Sequence, residues 1–246
     1  MYGKILTLLG LVSVLTTVGF CSPIRDDLAA KGIEYIGQEQ VVPIAYLKST
    51  GEQYISIPYS ANHRTHATIV AAFPDIFTQK SIGAIFGQYT AGNRFALRLW
   101  EEGSANGRFS YAWHNGWSNT PRTPYIDEDN DHFYSISLYS YLYNGSPRGR
   151  CVCDGYRLSD SYDTGEFLVD SDEFQIFRAY GITTYAPIRI RCASFSIFEE
   201  DEKIFDLLPV RIGSTGYMLD TVSGELFRNA GTGSFILGPD IASLEY

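Results

Sequence analysis

Short apolar runs separated by glycine, asparagine and serine turns fill most of the chain, and no helical period is sustained after Phe20. Residues 41–47 (VVPIAYL) meet a Ser-Thr-Gly turn, and Gln53-Tyr54-Ile55-Ser56-Ile57-Pro58 then alternates with period two, which predicts strand, turn, strand. Further strands are predicted over 67–73, 82–87, 94–100 and 108–113. A loop over 119–131 leads to a long alternating run from His132 to Tyr143, and Asn144-Gly145 closes it with a hairpin signal. A return strand over 150–155, a short strand over 174–177 and a long one over 188–198 follow. The acidic stretch 199–203 is the tip of a hairpin whose second arm is 204–207.

The last part, Phe205 to Pro239, alternates apolar pairs with glycine turns at Gly213, Gly216, Gly224, Gly231 and Gly233. Glycine supplies the positive-φ positions that such turns need. Nothing in this stretch is catalytic in type, and it reads as a closing clasp. Many short strands without a sustained helix predict an all-β, antiparallel β-sandwich or jelly roll. With no internal repeat or low-complexity linker, residues 41–246 form one domain.

Composition narrows the picture. The chain of 246 residues, 45% of them hydrophobic, can bury one sizeable core or two small ones. Its 18 Tyr, 15 Phe and 23 Gly suit pleated, half-buried surfaces joined by tight turns. A net charge of −9 argues against nucleic acid and anionic membrane surfaces as partners.

The start of the chain is a separate element. Met1-Tyr2-Gly3-Lys4 is a positive n-region, and the uncharged run from Ile5 to Phe20 is short for a spanning helix but right for a secretory signal. Residues 1–22 are therefore expected to be an export signal. Residues 23–40 form a polar lead-in with a short helix at 26–31, and the product is exported to the cell surface, periplasm or extracellular space. Val18-Gly19-Phe20-Cys21 resembles a bacterial lipobox, although Phe20 departs from the pattern, and Arg25-Asp26-Asp27 resembles a surface-export signal for lipoproteins. Cys21 is thus a candidate lipidation site and the one membrane attachment expected; Thr17-Val18-Gly19 is the competing cleavage site. Cys151 and Cys153 share a strand face. With Cys192 they are either buried free thiols or supply one disulfide, between Cys192 and one of the pair.

Tyr46-Leu47-Lys48-Ser49-Thr50-Gly51-Glu52-Gln53-Tyr54-Ile55 resembles the opening of a group of bacterial and phage proteins with a laminin-G-like, concanavalin A-like jelly roll. Segments 206–210, 216–220, 223–224 and 229–235 resemble the same group's closing stretch, and Ile85-Phe86-Gly87 and Cys153-Asp154-Gly155 its internal "FG" and "DG" marks. The resemblance covers Val41 to Pro239. It implies the fold; the wider superfamily holds lectins, adhesion modules and glucan hydrolases, among which fold does not choose.

Glucan hydrolases of that superfamily carry carboxylates in an E-x-D-x-E arrangement, so that alternate side chains face one cleft. The nearest approach here, Glu199-Glu200-Asp201-Glu202, falls on a hairpin tip, and no HExxH or G-x-S-x-G motif is present. No catalytic residue is expected. Asp127, Asp129 and Asp131 alternate in a loop and are candidate calcium ligands, without the glycine and distal glutamate of an EF-hand. Tyr111, Trp113, His114, Asn115 and Trp117 are the candidate glycan-binding cluster, rings to stack on sugars and polar groups to bond hydroxyls. The competing reading places Trp113 in the core and Trp117 over the sandwich edge. Tyr139, Tyr141 and Tyr143 share a strand face and either form a second aromatic stripe or, as tyrosines in sandwiches more often do, cover the sheet. The expectation is an exported, non-catalytic carbohydrate-binding or adhesion module whose partner is a glycan or a surface protein. The alternatives are a surface-assembly or phage-derived attachment protein, and a polysaccharide hydrolase with an atypical site.

Overall fold

The computed structural model describes residues 40–74, 83–100, 108–119, 132–182 and 187–241. The first strands are β1 (Val41–Pro43), β2 (Leu47–Lys48), β3 (Ile55–Pro58), β4 (Thr65–Ala72), β5 (Gly83–Tyr89) and β6 (Arg94–Trp100). Next come β7 (Arg108–Trp113), β8 (Gly116–Asn119), β9 (Tyr134–Tyr143), β10 (Ser146–Cys153), β11 (Tyr156–Thr164) and β12 (Glu173–Ile176). The last are β13 (Arg191–Glu199), β14 (Glu202–Ile212), β15 (Thr215–Asp220), β16 (Leu226–Arg228) and β17 (Ile236–Leu237).

These strands build a two-sheet antiparallel sandwich. The larger sheet runs β11-β10-β9-β4-β13-β14-β15-β16, with β1 beside β14 and β2 joining β13 to β17; the smaller runs β3-β12-β5-β6-β7-β8. Its hairpins follow turn chemistry: Asn144-Gly145 and Asp154-Gly155 both take positive φ at the two central positions, as tight hairpins require. The 199–203 tip is likewise a turn, with Glu200 at φ 54.

Period-two alternation sorts the faces. In β4, Ala67, Ile69 and Ala71 are buried while His66, Thr68 and Val70 stand half-exposed, and β9 buries Tyr134, Ile136 and Leu138 in the same way. Facing them, β6 and β12 contribute Phe95 and Phe174, which meet Phe86 and Phe195 at centroid separations of 5.4–6.4 Å. Each fully buried phenylalanine is worth about 1.5–3 kcal/mol of apolar transfer, so this cluster anchors the contact between the sheets. The outer face of the smaller sheet is also covered: Ala84, Ala96 and Ala112 pack with Ala179 and Ile182. The outer face of the larger sheet keeps a half-exposed row of polar and aromatic side chains.

The opening and closing stretches meet. The buried Gln53 amide accepts from Thr50 N at 2.7 Å and donates to the Thr232 carbonyl at 3.0 Å, while Ala230 N donates to Tyr54 O at 2.9 Å. Gly216 leaves room for Leu47 and Leu237, where a Cβ would lie 2.5 and 2.7 Å from their methyl carbons. The fully buried Asp220 carboxylate accepts from the backbone N–H groups of Asp206, Val222 and Ser223, which holds the turn after β15. The clasp is therefore scaffold.

Three expectations change. Residues 41–47 are two strands, because the chain crosses from β14 to β13 between Pro43 and Leu47. The strand expected from residue 188 begins at Arg191. Strands β8 and β11 were not anticipated; β11 is the outermost strand of its sheet and has a mostly polar sequence, YRLSDSYDT, in which Leu158 packs against the core.

Candidate functional site

The candidate glycan-binding residues separate by strand parity. Tyr111 and Trp113 point inward from β7 and are 0% exposed. The Trp113 indole spans the interior, edge-on to Phe167 at 5.0 Å and tilted against Phe95 at 5.9 Å, and it seats on Gly149 of the opposite sheet. Neither ring offers a face to a ligand, so the stacking role expected of Tyr111 and Trp113 is corrected: both are core residues. Their aromatic mass fills the gap between the sheets, where it removes the most apolar surface from water. Among the described residues the indole Nε1 has no hydrogen-bond partner, which is a structural cost of seating the ring in the core.

His114 and Asn115 form the two-residue turn between β7 and β8, His114 at φ 52. His114 stacks on Phe167 at 5.8 Å, and the Asn115 carbonyl accepts from Arg94 Nη1 at 2.8 Å. Trp117 lies on β8 opposite Ala112. Asp127, Asp129, Asp131 and Cys21 lie outside the described residues. Among the described residues no group of three or more His, Cys, Asp or Glu side chains is placed to hold a metal ion.

Beside His114 and Asn115 runs the segment 165–172, and it builds a groove that sequence reading missed. Asn93 Nδ2, from the turn between β5 and β6, donates to Leu168 O at 2.8 Å, and Val169 N donates to Ala61 O at 2.8 Å. The fully buried Gln88 pins the arrangement from inside. Its Nε2 donates to Tyr59 O at 2.6 Å and Ser171 O at 2.9 Å, and its Oε1 accepts from Ala61 N at 2.7 Å. Tyr180 reaches the same place because its backbone pairs with β5, through Tyr89 N to Tyr180 O at 2.8 Å and Tyr180 N to Gly87 O at 3.0 Å. Gly181 permits that approach: a Cβ there would sit 1.8 Å from Tyr89 O.

The resulting groove, about 690 Å³, is lined by Ser60, Leu168, Asp170, Ser171, Asp172 and Tyr180, with Val169 beneath. Leu168 is 59% exposed, whereas the Ser60 and Ser171 oxygens are spent on loop bonds. Asp170 and Asp172 are exposed, and neither carboxylate bonds another described side chain. The site thus offers acceptors, an aliphatic patch and a tyrosine within one concavity, a combination suited to a ligand with hydroxyl edges and C–H faces. Both aspartates sit at bends, with Ser171 N donating to Val169 O at 2.9 Å across Asp170, and both line the groove. No sequence motif marks this site; its sole signal was the alternation Asp170-Ser171-Asp172 before a strand.

Elsewhere, a polar cluster fastens the segment before β4 to the β13–β14 hairpin. Glu199 Oε1 accepts from Tyr59 Oη at 2.9 Å and Asn62 Nδ2 at 2.7 Å, and Tyr59 also meets Thr65 Oγ1 at 2.8 Å. Burial chiefly, with the Glu199 charge in support, pushes the Tyr59 hydroxyl above its ordinary range and keeps it neutral. The three described cysteines are buried free thiols, which selects between the two readings of the sequence.

No protein-family model matches the chain, and no curated protein matches it in sequence. Among solved structures it is similar to a presumed carbohydrate-binding protein from Bacteroides ovatus, at TM-score 0.55 and 12% identity, over 82% of this chain and 62% of that one. The chain thus spans less than two thirds of that neighbour's length. It is also similar to a heptameric SAP-like pentraxin from Limulus polyphemus, at TM-score 0.46 and 10% identity, over 82% of this chain and 95% of that one. The all-β, two-sheet antiparallel sandwich is shown by the structure, and the first of these likenesses shares that fold.

Proposed function

We propose that the chain is a carbohydrate-binding module that binds glycans in the groove over Leu168–Asp172 and Tyr180, and that it works as an exported protein. The observation that carries the reading is the pairing of two unengaged carboxylates with an exposed leucine in one concavity. Asp170 and Asp172 accept hydrogen bonds from adjacent sugar hydroxyls, and Leu168 packs against the C–H face of the ring. Tyr180 closes the side of the site. His114 and Asn115, at the neighbouring turn, extend it for a longer chain. The fold likeness to a presumed carbohydrate-binding protein supports the reading.

Binding without cleavage is the reading for chemistry, since the E-x-D-x-E arrangement is absent from the sequence. A single open groove of this size gives modest affinity per site, and useful retention at a surface comes from repetition of the module or of its ligand. The test is a glycan array followed by calorimetric titration of the best neutral oligosaccharide. The D170A/D172A variant is expected to weaken binding about tenfold or more, through loss of two to three charge-assisted hydrogen bonds, with its melting temperature unchanged. An array without signal, or affinity indifferent to the double substitution, would overturn the assignment.

A further inference from the structure

Three places in the sequence set asparagine directly before glycine: Asn106-Gly107, Asn115-Gly116 and Asn144-Gly145. That dipeptide carries a reaction of its own. The glycine nitrogen, with no side chain beside it, can attack the asparagine Cγ and close a five-membered imide with loss of ammonia. Folding decides whether the two atoms are free to meet. Asn106-Gly107 lies outside the described residues, and the other two stand in opposite conditions.

Asn144 and Gly145 are the central residues of the β9–β10 hairpin, at φ 50 and 78. Both are exposed, and so are Leu142 at 73% and Tyr143 at 48%, so the tip stands clear of the sandwich. Nothing lies within 4 Å of the place a Gly145 Cβ would take. Among the described residues, neither the Asn144 side chain nor the Gly145 N–H makes a hydrogen bond. In a two-residue loop the flanking pair, here Tyr143 and Ser146, closes the ladder and leaves the second loop N–H to water. Nucleophile and electrophile are thus adjacent, unengaged and solvated.

Asn115-Gly116 is held. Gly116 is the first residue of β8, opposite Trp113, so its N–H is directed into the ladder. The Asn115 carbonyl accepts from Arg94 Nη1 at 2.8 Å, and Asn115 Nδ2 lies 3.3 Å from His114 Nε2. The peptide plane that has to turn is pinned on both sides. Asp154-Gly155 supplies a second contrast, since an aspartate can close the same imide with loss of water. Its φ values, 49 and 79, match those of Asn144-Gly145, but Asp154 Oδ1 accepts from Ser135 N at 2.8 Å and Asp154 N donates to Ser135 O at 2.8 Å.

We infer that Asn144 is a site of spontaneous deamidation, which the native fold selects over Asn115 while it keeps Asp154 from the related isomerisation. Solvent base takes the Gly145 N–H proton, the nitrogen bonds to Asn144 Cγ, and the side-chain amide leaves as ammonia. Water then opens the imide at either carbonyl. Cleavage of the bond to Cγ leaves aspartate at position 144 with the backbone restored. Cleavage at the α-carbonyl reroutes the backbone through the side chain. Overall one water is consumed and one ammonia released, with no change of oxidation state.

The two products treat the hairpin differently. Aspartate accepts positive φ as asparagine does, so it keeps the turn and adds a negative charge. The rerouted product puts an extra carbon into the backbone of a tight loop and loosens the Tyr143–Ser146 and Leu142–Pro147 pairs. The disturbance stays at the tip, because further in Gly149 is seated against Trp113. The site shares no residue with the groove, and the inference does not depend on it.

Timed incubation of the folded full chain in mildly alkaline buffer tests it, with peptide mapping by mass spectrometry and an isoaspartate-specific methyltransferase to read each position separately. Asn144 is expected to convert about tenfold or more faster than Asn115, which has to give up two hydrogen bonds before it can react. In the urea-unfolded chain the two should convert at similar rates, and Asp154 should isomerise there but not in the folded protein. N144D, which carries the backbone-restored product, should melt with the parent. Equal rates at Asn144 and Asn115 in the folded protein would overturn the inference. So would an Asn144 that stays intact while the unfolded chain converts, or folded-state isomerisation of Asp154 as fast as the loss of Asn144.

Discussion

Replacing Gly149 by alanine adds one methyl group where the two sheets come closest to the Trp113 indole. The new Cβ would lie 2.5, 2.6 and 2.7 Å from three indole carbons, where side-chain carbons ordinarily keep 3.4–4 Å. Both partners are buried, and Phe167 and Phe95 hold the indole on its other sides, so the ring has nowhere to retreat. Overpacking of this kind costs about 1–3 kcal/mol. Loss of glycine's freedom in the unfolded chain returns about 0.4–1 kcal/mol. The net expectation is a destabilisation of about 1–2 kcal/mol, which for a domain of this size lowers Tm by about 2–4 °C per kcal/mol. W113L alone should cost about 2–4 kcal/mol, through lost burial and a residual cavity. Combined, the two substitutions should cost less than their sum by about 1 kcal/mol or more, because the methyl group enters space the indole has left. Guanidinium titration of all four proteins, followed by circular dichroism, reads the cycle. Additivity within about 0.5 kcal/mol would refute the seating of Trp113 on Gly149.

Two further outcomes follow from burial and charge. The thiols of Cys151, Cys153 and Cys192 should resist a disulfide reagent at mildly alkaline pH in the native protein and react once it is unfolded, with mass spectrometry identifying the sites. Burial is the main cause, and it pushes Cys153 and Cys192 up to about 12; rapid native-state labelling would contradict it. For Asp160, burial alone would raise the carboxyl, but the bonds from Arg150 and Tyr141 and the charges of Arg150 and Arg157 outweigh it and hold it below the usual range. The depressed value means that its contribution to stability is complete above about pH 4 and is lost as pH falls through the folded-state value. D160N should therefore be less stable than the parent near neutrality, with the gap closing in strong acid; a gap that stays constant down to about pH 2 would refute this.

How far each feature could be read from the sequence depended on how local its cause is. Strands such as β4 and β9 were plain because alternation records which face is buried, and Asn144-Gly145 announces its hairpin by backbone preference alone. Strand β11 was hidden because its apolar contribution is a single residue, Leu158, while Arg150, Arg157 and Tyr141 hold it through Asp160. The fate of Trp113 was open because a tryptophan at a strand end reads the same whether it points in or out. What decides it is a glycine in the facing sheet, 36 positions on by the numbering of the chain. Beyond the Asp170-Ser171-Asp172 alternation, nothing in the sequence marked the groove. It joins Ser60, Leu168 to Asp172 and Tyr180 through one buried amide, Gln88, and in sequence Gln88 is an ordinary polar residue near the end of a strand.

The meeting of the opening and closing stretches bears on how the chain comes off the ribosome. Gln53 finds the Thr232 carbonyl 179 positions later, and the short strand Leu47–Lys48 receives its second neighbour only when Ile236–Leu237 has been made. Until then one rim of the larger sheet stands open, with Leu47 lacking the cover of Leu237 and an unpaired strand available to other nascent chains. Closure at such separations is slow. The vulnerable interval is therefore the whole of synthesis, and a chain terminated before Ile236 should be lost to aggregation rather than accumulate as a slightly weaker domain.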